Sequence, residues 1–521
     1  MKRLSLIAII ISALLFAGHD LQIKLFQNPD ALIYGDVISY YQILPAVFVE
    51  HDLKFSFLDH ENIPEKRYWL IDLGNGNRIS KVTMGMAFMY LPFFVPSHYI
   101  QVALGLPSHG FSAYDKIALL LASIFYTVLA LVMLRNLLLR RFSDQVVALT
   151  ILIIALGTNL FYYVTVDGLM SHSFSFFLIT GMIYFTDRFF RKPGLIGVLI
   201  LGIILGMIVL IRPTNIFVLI FPLLWGVTSF NELKERVLFW LSSWKYILFA
   251  LLGFMIVWLP QILYWKYITG QFYFNGYGDD GVKFFFNNPQ VINSFFSYRK
   301  GWLLYTPVMS FAIIGLVFLW RAYKESFWAI FMYFIVSVYV ISSWWLWWYG
   351  GGYGLRAYID IYGAMAFPLA AFIAFVFEKR HFILKSLIIF IAFIFIAHNL
   401  FQVRQIYFGS IHFSDMTKEA YWESFGVLKP SLRLNALLVP LDYKSAAKGQ
   451  YPKPVVRVKT SEDWIKYYEK NISRDSVYME LITKKAIERG VSIDKALYDD
   501  AKWCYENDLE QHKKTKRFLI F

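Results

Sequence analysis

Apolar residues fall along this chain in long unbroken runs, and each run closes on a charge or a turn. The windows Gln145–Val166, Gly168–Thr186, Pro193–Ile211, Pro213–Asn231, Tyr246–Trp265 and Gly301–Trp320 contain no Asp, Glu, Lys or Arg. A helix needs about 20 such residues to cross the hydrocarbon core of a bilayer, so each window predicts a membrane span. Short alternating strands, the signature of a membrane β-barrel, are not the pattern. One more uncharged run, Val82–Tyr114, disturbs the rhythm. Lys2 and Arg3 and the clusters Arg135/Arg140/Arg141, Arg188/Arg191/Lys192, Lys234/Arg236/Lys245, Arg321/Lys324 and Lys379/Arg380/Lys385 all belong on the cytoplasmic side. They fall there together only if Val82–Tyr114 does not cross. Its prolines Pro92, Pro96 and Pro107, with His98 and His109, predict a broken, interfacial or re-entrant segment.

The expected fold class is therefore an all-α polytopic membrane protein of about eleven transmembrane helices. The spans are expected near residues 4–18, 117–134, 145–166, 168–186, 194–211, 214–230, 246–265, 302–320, 326–346, 358–377 and 383–403, within a membrane domain 1–403. The first external loop, about 19–115, is too long for a plain connector. Within it Val37, Tyr40, Tyr41, Leu44, Val47 and Phe48 recur at helical spacing, with Ser39, Gln42 and Glu50 on the other side. That predicts an amphipathic helix lying on the membrane. From residue 404 the composition turns ordinary and charged, and "SEDWIKYYEKNI" and "DSVYMELITKKAIERGVSIDKALYDDAKWCYEND" show helical periodicity. The segment 404–521 is expected to be a soluble, mainly helical external domain.

Composition agrees with this reading. Of the 521 residues 58% are hydrophobic and 17% charged, too little charge to cover a soluble protein of this length. The net charge of +14 suits basic cytoplasmic loops. No soluble basic face with interleaved aromatics is present, so nucleic acid is not an expected partner. Cys504 is the single cysteine, which excludes an internal disulfide and a cysteine metal cluster. "MKRLSLIAIIISALLFAG" has the features of a signal peptide, but with so many spans after it an uncleaved first helix is expected.

Several polar residues then fall on the external side: Asp36 in "YGDVISYY", Lys81, Asp167 and His172 in "VDGLMSHSFSFF", Arg212 in "LIRPTN" and Arg356 in "WWYGGGYGLRAYID". Ionisable groups beside spans are expensive and mark sites or pathways. The plainer readings are snorkelling anchors for the arginines, a satisfied core histidine for His172 and an interfacial aromatic belt for Trp344–Trp348. Asp279 and Asp280 read as a solvated turn before a metal pair. Arg212 and Arg356 nonetheless oppose the positive-inside bias. External cations can grip a lipid phosphate, and a carboxylate beside them can take a proton from an attacking hydroxyl.

In order along the chain, "YGDVISYY", "SKVTMGMAFMYLPFF", "LVMLRNLLLRRF", "DGLMSHSFSFF", "LIRPTN" and "WWYGGGYGLRAYIDIYGAMAFPLA" resemble the GT-C superfamily of integral-membrane glycosyltransferases. The branch most similar contains protein O-mannosyltransferases and lipid A aminoarabinose transferases. The resemblance covers residues 1–403 and implies a GT-C-like bundle, a polyprenyl-phosphate-linked sugar donor and inversion at the anomeric carbon. It implies Asp36 as catalytic base and Lys81, Arg212 and Arg356 as donor-phosphate ligands. Asp167, His172 and Tyr353 are the expected substrate contacts. The acceptor is external and of open class, membrane lipid surrounds the site, and the expected location is a bacterial inner membrane with the site on the periplasmic side. No cofactor is certain; a divalent cation, Mg or Mn, is left open. The chain departs from the O-mannosyltransferases in placing Val37, not a second acid, after Asp36. It lacks the paired prolines common after the aminoarabinose lysine. Two alternatives are an oligosaccharyltransferase using a polyprenyl-pyrophosphate glycan and a flippase for lipid-linked sugars. The flippase reading lacks the internal repeat that transporters usually carry. A third is a non-catalytic assembly subunit.

Overall fold

The computed structural model describes residues 3–59, 67–74, 76–276, 278, 283–378 and 382–518, with side chains of residues 509 and 511–518 left aside. Asp279, Asp280, Lys379 and Arg380 lie outside the described residues. The chain is mostly helical. Its helices are α1 (Leu4–Ile23), α2 (Asp36–Tyr41), α3 (Ile43–Phe48), α4 (Gly85–Ala103), α5 (Ala113–Leu138), α6 (Asp144–Leu156), α7 (Leu160–Val164), α8 (Ser171–Arg191) and α9 (Leu195–Ile211). There follow α10 (Ile220–Leu224), α11 (Phe230–Ser242), α12 (Trp244–Thr269), α13 (Val291–Phe296), α14 (Trp302–Tyr305), α15 (Met309–Ala322), α16 (Lys324–Ser343), α17 (Tyr362–Glu378) and α18 (Phe382–Tyr407). The C-terminal segment holds α19 (Lys418–Ser424), α20 (Leu434–Leu437), α21 (Tyr443–Ala446), α22 (Ser461–Ile472), α23 (Ser476–Arg489) and α24 (Ile493–Phe518).

Among the described residues, six helical stretches are long and apolar enough to cross a membrane: α1, α5, α12, α16, Arg356–Glu378 and α18. The protein is thus a multi-pass membrane protein. Shorter apolar helices stand where further spans were expected: α6, α9, α15 and the Pro213–Leu224 stretch. Their close packing follows from small residues. A Cβ on Gly202 of α9 would come 2.0 Å from the Ala250 carbonyl oxygen of α12, and one on Gly253 would come 2.3 Å from that of Leu199. Such backbone-to-backbone approach is how helices associate where lipid removes the hydrophobic drive.

Four expectations change. The expected span 145–166 is interrupted between α6 and α7. The Thr158 hydroxyl lies in the break, and Asn399 Nδ2 donates to the carbonyls of Leu156 (2.7 Å) and Thr158 (2.8 Å). Freed backbone groups thereby regain partners inside the protein. Val82–Tyr114 is broken, but only after Ala103, with Pro107 in the connection to α5; α4 runs continuously past Pro92 and Pro96. These sit one turn apart, so the lost N–H groups lie on one face while the rest of the ladder holds. The amphipathic helix near 37–48 is two short helices parted at Gln42, because the Pro45 ring excludes a normal turn against Tyr41. Gln42 is not on a wet face. It is buried, donates to Trp69 O and Ser80 Oγ, and accepts from Trp69 N at 2.8 Å. The all-α expectation also misses an antiparallel hairpin, β1 (Leu70–Asp72) with β2 (Arg78–Ser80), pairing Leu70 with Ser80. Gly74 and Gly76 supply the positive φ its turn requires.

The C-terminal segment packs back onto the loops of the membrane region. Arg299 donates to the carbonyls of Ser414 and Val439, Asn288 to that of Gly449, and Tyr451 to that of Trp345.

Candidate functional site

Local chemistry explains why each polar group points where it does. Asp36 opens α2 behind Gly35, whose φ is +54°. An acid in a first turn is favoured by the helix dipole. Arg212 ends α9 with φ −146° and ψ 99°, because the residue before a proline, here Pro213, is driven out of the helical region. The guanidinium therefore leaves the helix at its mouth. Arg356 opens the turn of 3-10 helix Arg356–Ile361 that leads into α17, directly after the glycine-rich loop. In that loop Gly352 has φ +123°, and a Cβ there would come 2.3 Å from the Tyr163 hydroxyl. The loop is held from below as well: the buried Lys300 ammonium donates to the carbonyls of Gly352 and Phe413, and Gly352 N donates to Phe413 O. Burial and the charges of Arg356 and Arg299 push the Lys300 pKa well below its ordinary value.

Two ion pairs form the centre. Arg356 meets Asp36 Oδ2 at 3.2 Å, and Arg212 meets Asp360 Oδ2 at 3.3 Å. Asn215 Nδ2 donates to the same Asp360 oxygen at 2.8 Å. The terminal nitrogen of Arg212 that faces Asp360 also lies 3.1 Å from His172 Nδ1. A guanidinium only donates, so at this distance Nδ1 is the acceptor and the ring is neutral. The longer approach of Nδ1 to Asp360 Oδ1, 3.6 Å, is then no hydrogen bond. Arg212 also lies over the Tyr349 ring, 5.7 Å from its centroid. Tyr349 itself has φ +57°, a strained setting for a bulky residue. A cavity of about 10 Å³, lined by Arg212, Asn215, Tyr333, Tyr349 and Asp360, has room for about one water.

Asp167 sits buried in the turn before α8, where the Tyr34 hydroxyl donates to it at 3.2 Å. Burial pushes its carboxyl up to about 6, opposed by the nearby Arg356 and by the Tyr34 hydrogen bond. The structure thus brings together Asp36 with Arg356, and Arg212 with His172. Lys81 is placed differently: its ammonium lies 5.3 Å from the centroid of the Trp69 ring. Two residues on, Thr83 donates to Leu210 O, which ties this strand end to the mouth of α9. Tyr353 is fully buried, and its hydroxyl reaches Gln402 Oε1 at 2.8 Å, Asn399 Oδ1 at 3.0 Å and Tyr305 O at 3.2 Å, so it packs the core beneath the loop.

Asp360, Asn215 and Lys300 were not singled out from the sequence. The signal for Asp360 was present: an acid inside the apolar run that follows Arg356 is costly unless something holds it. Among the described residues no three His, Cys, Asp or Glu side chains converge to hold a metal ion.

No family model matches the chain, and no curated relative matches it. Solved structures that resemble it include two from Archaeoglobus fulgidus. One is the archaeal oligosaccharyltransferase AglB from Archaeoglobus fulgidus in complex with an inhibitory peptide and a dolichol-phosphate, at 12% identity and a TM-score of 0.41. That match covers 92% of this chain and 59% of that one. The other is an Archaeoglobus fulgidus oligosaccharyltransferase in the apo form, at 15% identity and a TM-score of 0.44, covering 87% of this chain and 60% of that one. The chain spans about three-fifths of the length of these neighbours. The functional reading rests on the site, not on this likeness.

Proposed function

We propose that the protein is an inverting membrane glycosyltransferase that moves a sugar from a polyprenyl-phosphate donor to an acceptor hydroxyl. The observation that carries the reading is the Asp36 carboxylate, half exposed, seated on the Arg356 guanidinium with Arg212 nearby. Asp36 takes the proton of the acceptor hydroxyl, whose oxygen attacks the anomeric carbon opposite the phosphate. The sugar–phosphate C–O bond breaks, its electron pair stays on the phosphate oxygen, and the leaving group gains one negative charge. Arg356 and Arg212 hold that charge as it grows, which is where stabilisation speeds the step. Lys81, just past the hairpin, is the third cation of this reading. Asp167 and His172 then serve the wall of the sugar site and the orientation of Arg212.

An apolar groove of about 440 Å³ between α3, α4 and α12, lined by Ile43, Leu44, Phe48, Met84, Leu91 and Tyr264, suits the carrier's isoprenoid tail. Arg212 and Arg356 each already face a carboxylate. That charge balance favours the single negative charge of a sugar phosphodiester over a pyrophosphate, and so favours this reading over an oligosaccharyltransferase. The site is read as external and periplasmic, with 404–521 as an external domain.

The test is purified protein in vesicles with radiolabelled polyprenyl-phosphate sugars. Label leaves the lipid with wild type and stays with Asp36→Asn. Equal release by both removes Asp36 as the base. Release from pyrophosphate-linked glycans alone replaces this reading with the oligosaccharyltransferase one.

A further inference from the structure

We propose that α11, with the basic end of α8, is an in-plane docking surface for anionic lipid headgroups, on the opposite charge logic from the catalytic site. Three faces of this helix have different fates. One is packed on the protein: Trp240 stacks on Phe189 with centroids 5.7 Å apart, and the Arg236 guanidinium lies 3.5 Å from the Phe190 centroid while donating to Trp225 O at 2.9 Å. A second carries the acids. Glu232 closes the helix start by accepting from Thr228 N at 2.7 Å, and exposed Glu235 follows on the same side.

The third face is apolar and bare. Phe230, Val237 and Leu241 recur at helical intervals on α11, with Phe230 79% and Leu241 68% exposed, and Trp244, 62% exposed, opens α12 just past Ser243. Lys234 occupies the one missing step of that stripe and Lys245 its edge, both exposed. A stripe of this kind on a soluble surface is an aggregation hazard, whereas at a membrane boundary it sinks into the acyl zone.

The chain itself says which occupant covers it. Only Ser243 separates α11 from α12, a helix long and apolar enough to cross the membrane. The stripe runs on from Trp244 into the exposed Leu248 and Leu251 of α12. The apolar face is therefore continuous with a lipid-facing one. Exposed Lys234 and Lys245 flank it, and Arg188, Arg191 and Lys192 stand exposed at the end of α8 on which α11 packs, against the two acids of α11. Arg191 shares Asp187 with Arg140, so the local excess remains positive. Long cationic side chains beside an apolar stripe reach headgroup phosphates while their stems cover the acyl boundary. This inference is independent of the glycosyltransferase reading.

The test uses the full-length chain with Cys504→Ser, carrying one fluorescent label at Leu241→Cys or at Glu235→Cys, reconstituted in vesicles. Brominated lipid should quench the label at position 241 several-fold more than the one at 235, and aqueous iodide should show the reverse order. In phosphatidylglycerol vesicles the lipid quenching at 241 should exceed that in phosphatidylcholine, and Lys234→Glu with Lys245→Glu should erase the excess. Equal iodide access at the two positions overturns the proposal. A label at 241 shielded from iodide yet untouched by brominated lipid also overturns it, and points to a protein partner or second copy on that face. Equal quenching in the two lipids overturns the anionic preference.

Discussion

Arg356 and Arg212 each meet an aspartate at nearly the same distance, 3.2 and 3.3 Å, yet the two pairs are built for different work. The Asp36 side chain is 45% exposed and its recorded contact is that one guanidinium, whereas the Asp360 side chain is 6% exposed and shared by Arg212 and Asn215. Water can take the arginine's place beside the half-exposed Asp36, so this carboxylate is the cheaper of the two to turn away, although both arginines are mostly buried. A buried pair is costly to break, because the survivor is left charged away from water. In the proposed reaction Asp36 is the acid that turns from its arginine to an incoming hydroxyl, while Asp360 stays on the guanidinium it holds. Reach and immobility are divided between two similar contacts.

Removing the mobile acid tests the first half of that contrast. Asp36→Asn should lower sugar transfer by about 10²–10⁴-fold, the usual worth of a general base. Its unfolding free energy should fall by less than in the Asp360 variant, because water reaches the Asp36 side of the pair although Arg356 is only 14% exposed. A fold that collapses in this variant would make the two pairs alike. The fixed acid should behave in the opposite sense. Asp360→Asn should destabilise the protein by about 3 kcal/mol, read by thermal unfolding in detergent, because Arg212 loses its buried counter-ion. In that variant Arg212 should also react faster with phenylglyoxal, scored by mass spectrometry. Unchanged stability and unchanged reactivity together would remove the distinction.

The arginine itself gives a smaller, sharper readout. Arg212→Ala should weaken binding of a polyprenyl phosphate by about 1.5–3 kcal/mol, the range for hydrogen bonds to charged groups. Arg212→Lys should recover only part, since a point charge replaces a planar fork. Full recovery by lysine would mean that charge alone matters there. The effect at Asp167 shows only as a pH dependence, because its carboxyl is raised from 3.8 to about 6. The folded state holds that proton more tightly than the unfolded chain, so its contribution to stability is complete below about pH 4 and is lost as pH rises through about 6. Asp167→Asn cannot ionise and should match wild type at pH 4 but exceed it at pH 8 by up to about 3 kcal/mol. The same stability difference at both pH values would show that burial does not control this acid.

Much of the site was legible as separate residues and little of it as contacts. Asp36 and Arg356 stand out because charge beside a span is expensive, but they are 320 positions apart and nothing in either motif names the other. Asp360 was hidden by position: it follows Arg356 by four residues in an apolar stretch and reads as part of the next span. Tyr353 misled for the opposite reason. Its glycine-rich surroundings suggest an accessible loop, yet the loop is pinned by Lys300 and Tyr163 and turns that ring inward. Pro92 and Pro96 suggested a break in α4 that tertiary packing overrides, while "GNGN" marked a hairpin that an all-helical reading passed over.

Long uncharged runs determined by themselves that this chain lives in a bilayer, because no other solvent accepts so much apolar surface. The local rules also set each polar group at an element's end: the residue before a proline leaves its helix, and an acid gathers at a helix start. Which carboxylate each arginine meets, which pair opens and which stays shut, was decided only by tertiary structure. Those choices depend on burial and on backbone contacts between segments hundreds of residues apart, and the energy of a charge pair is set by what surrounds it.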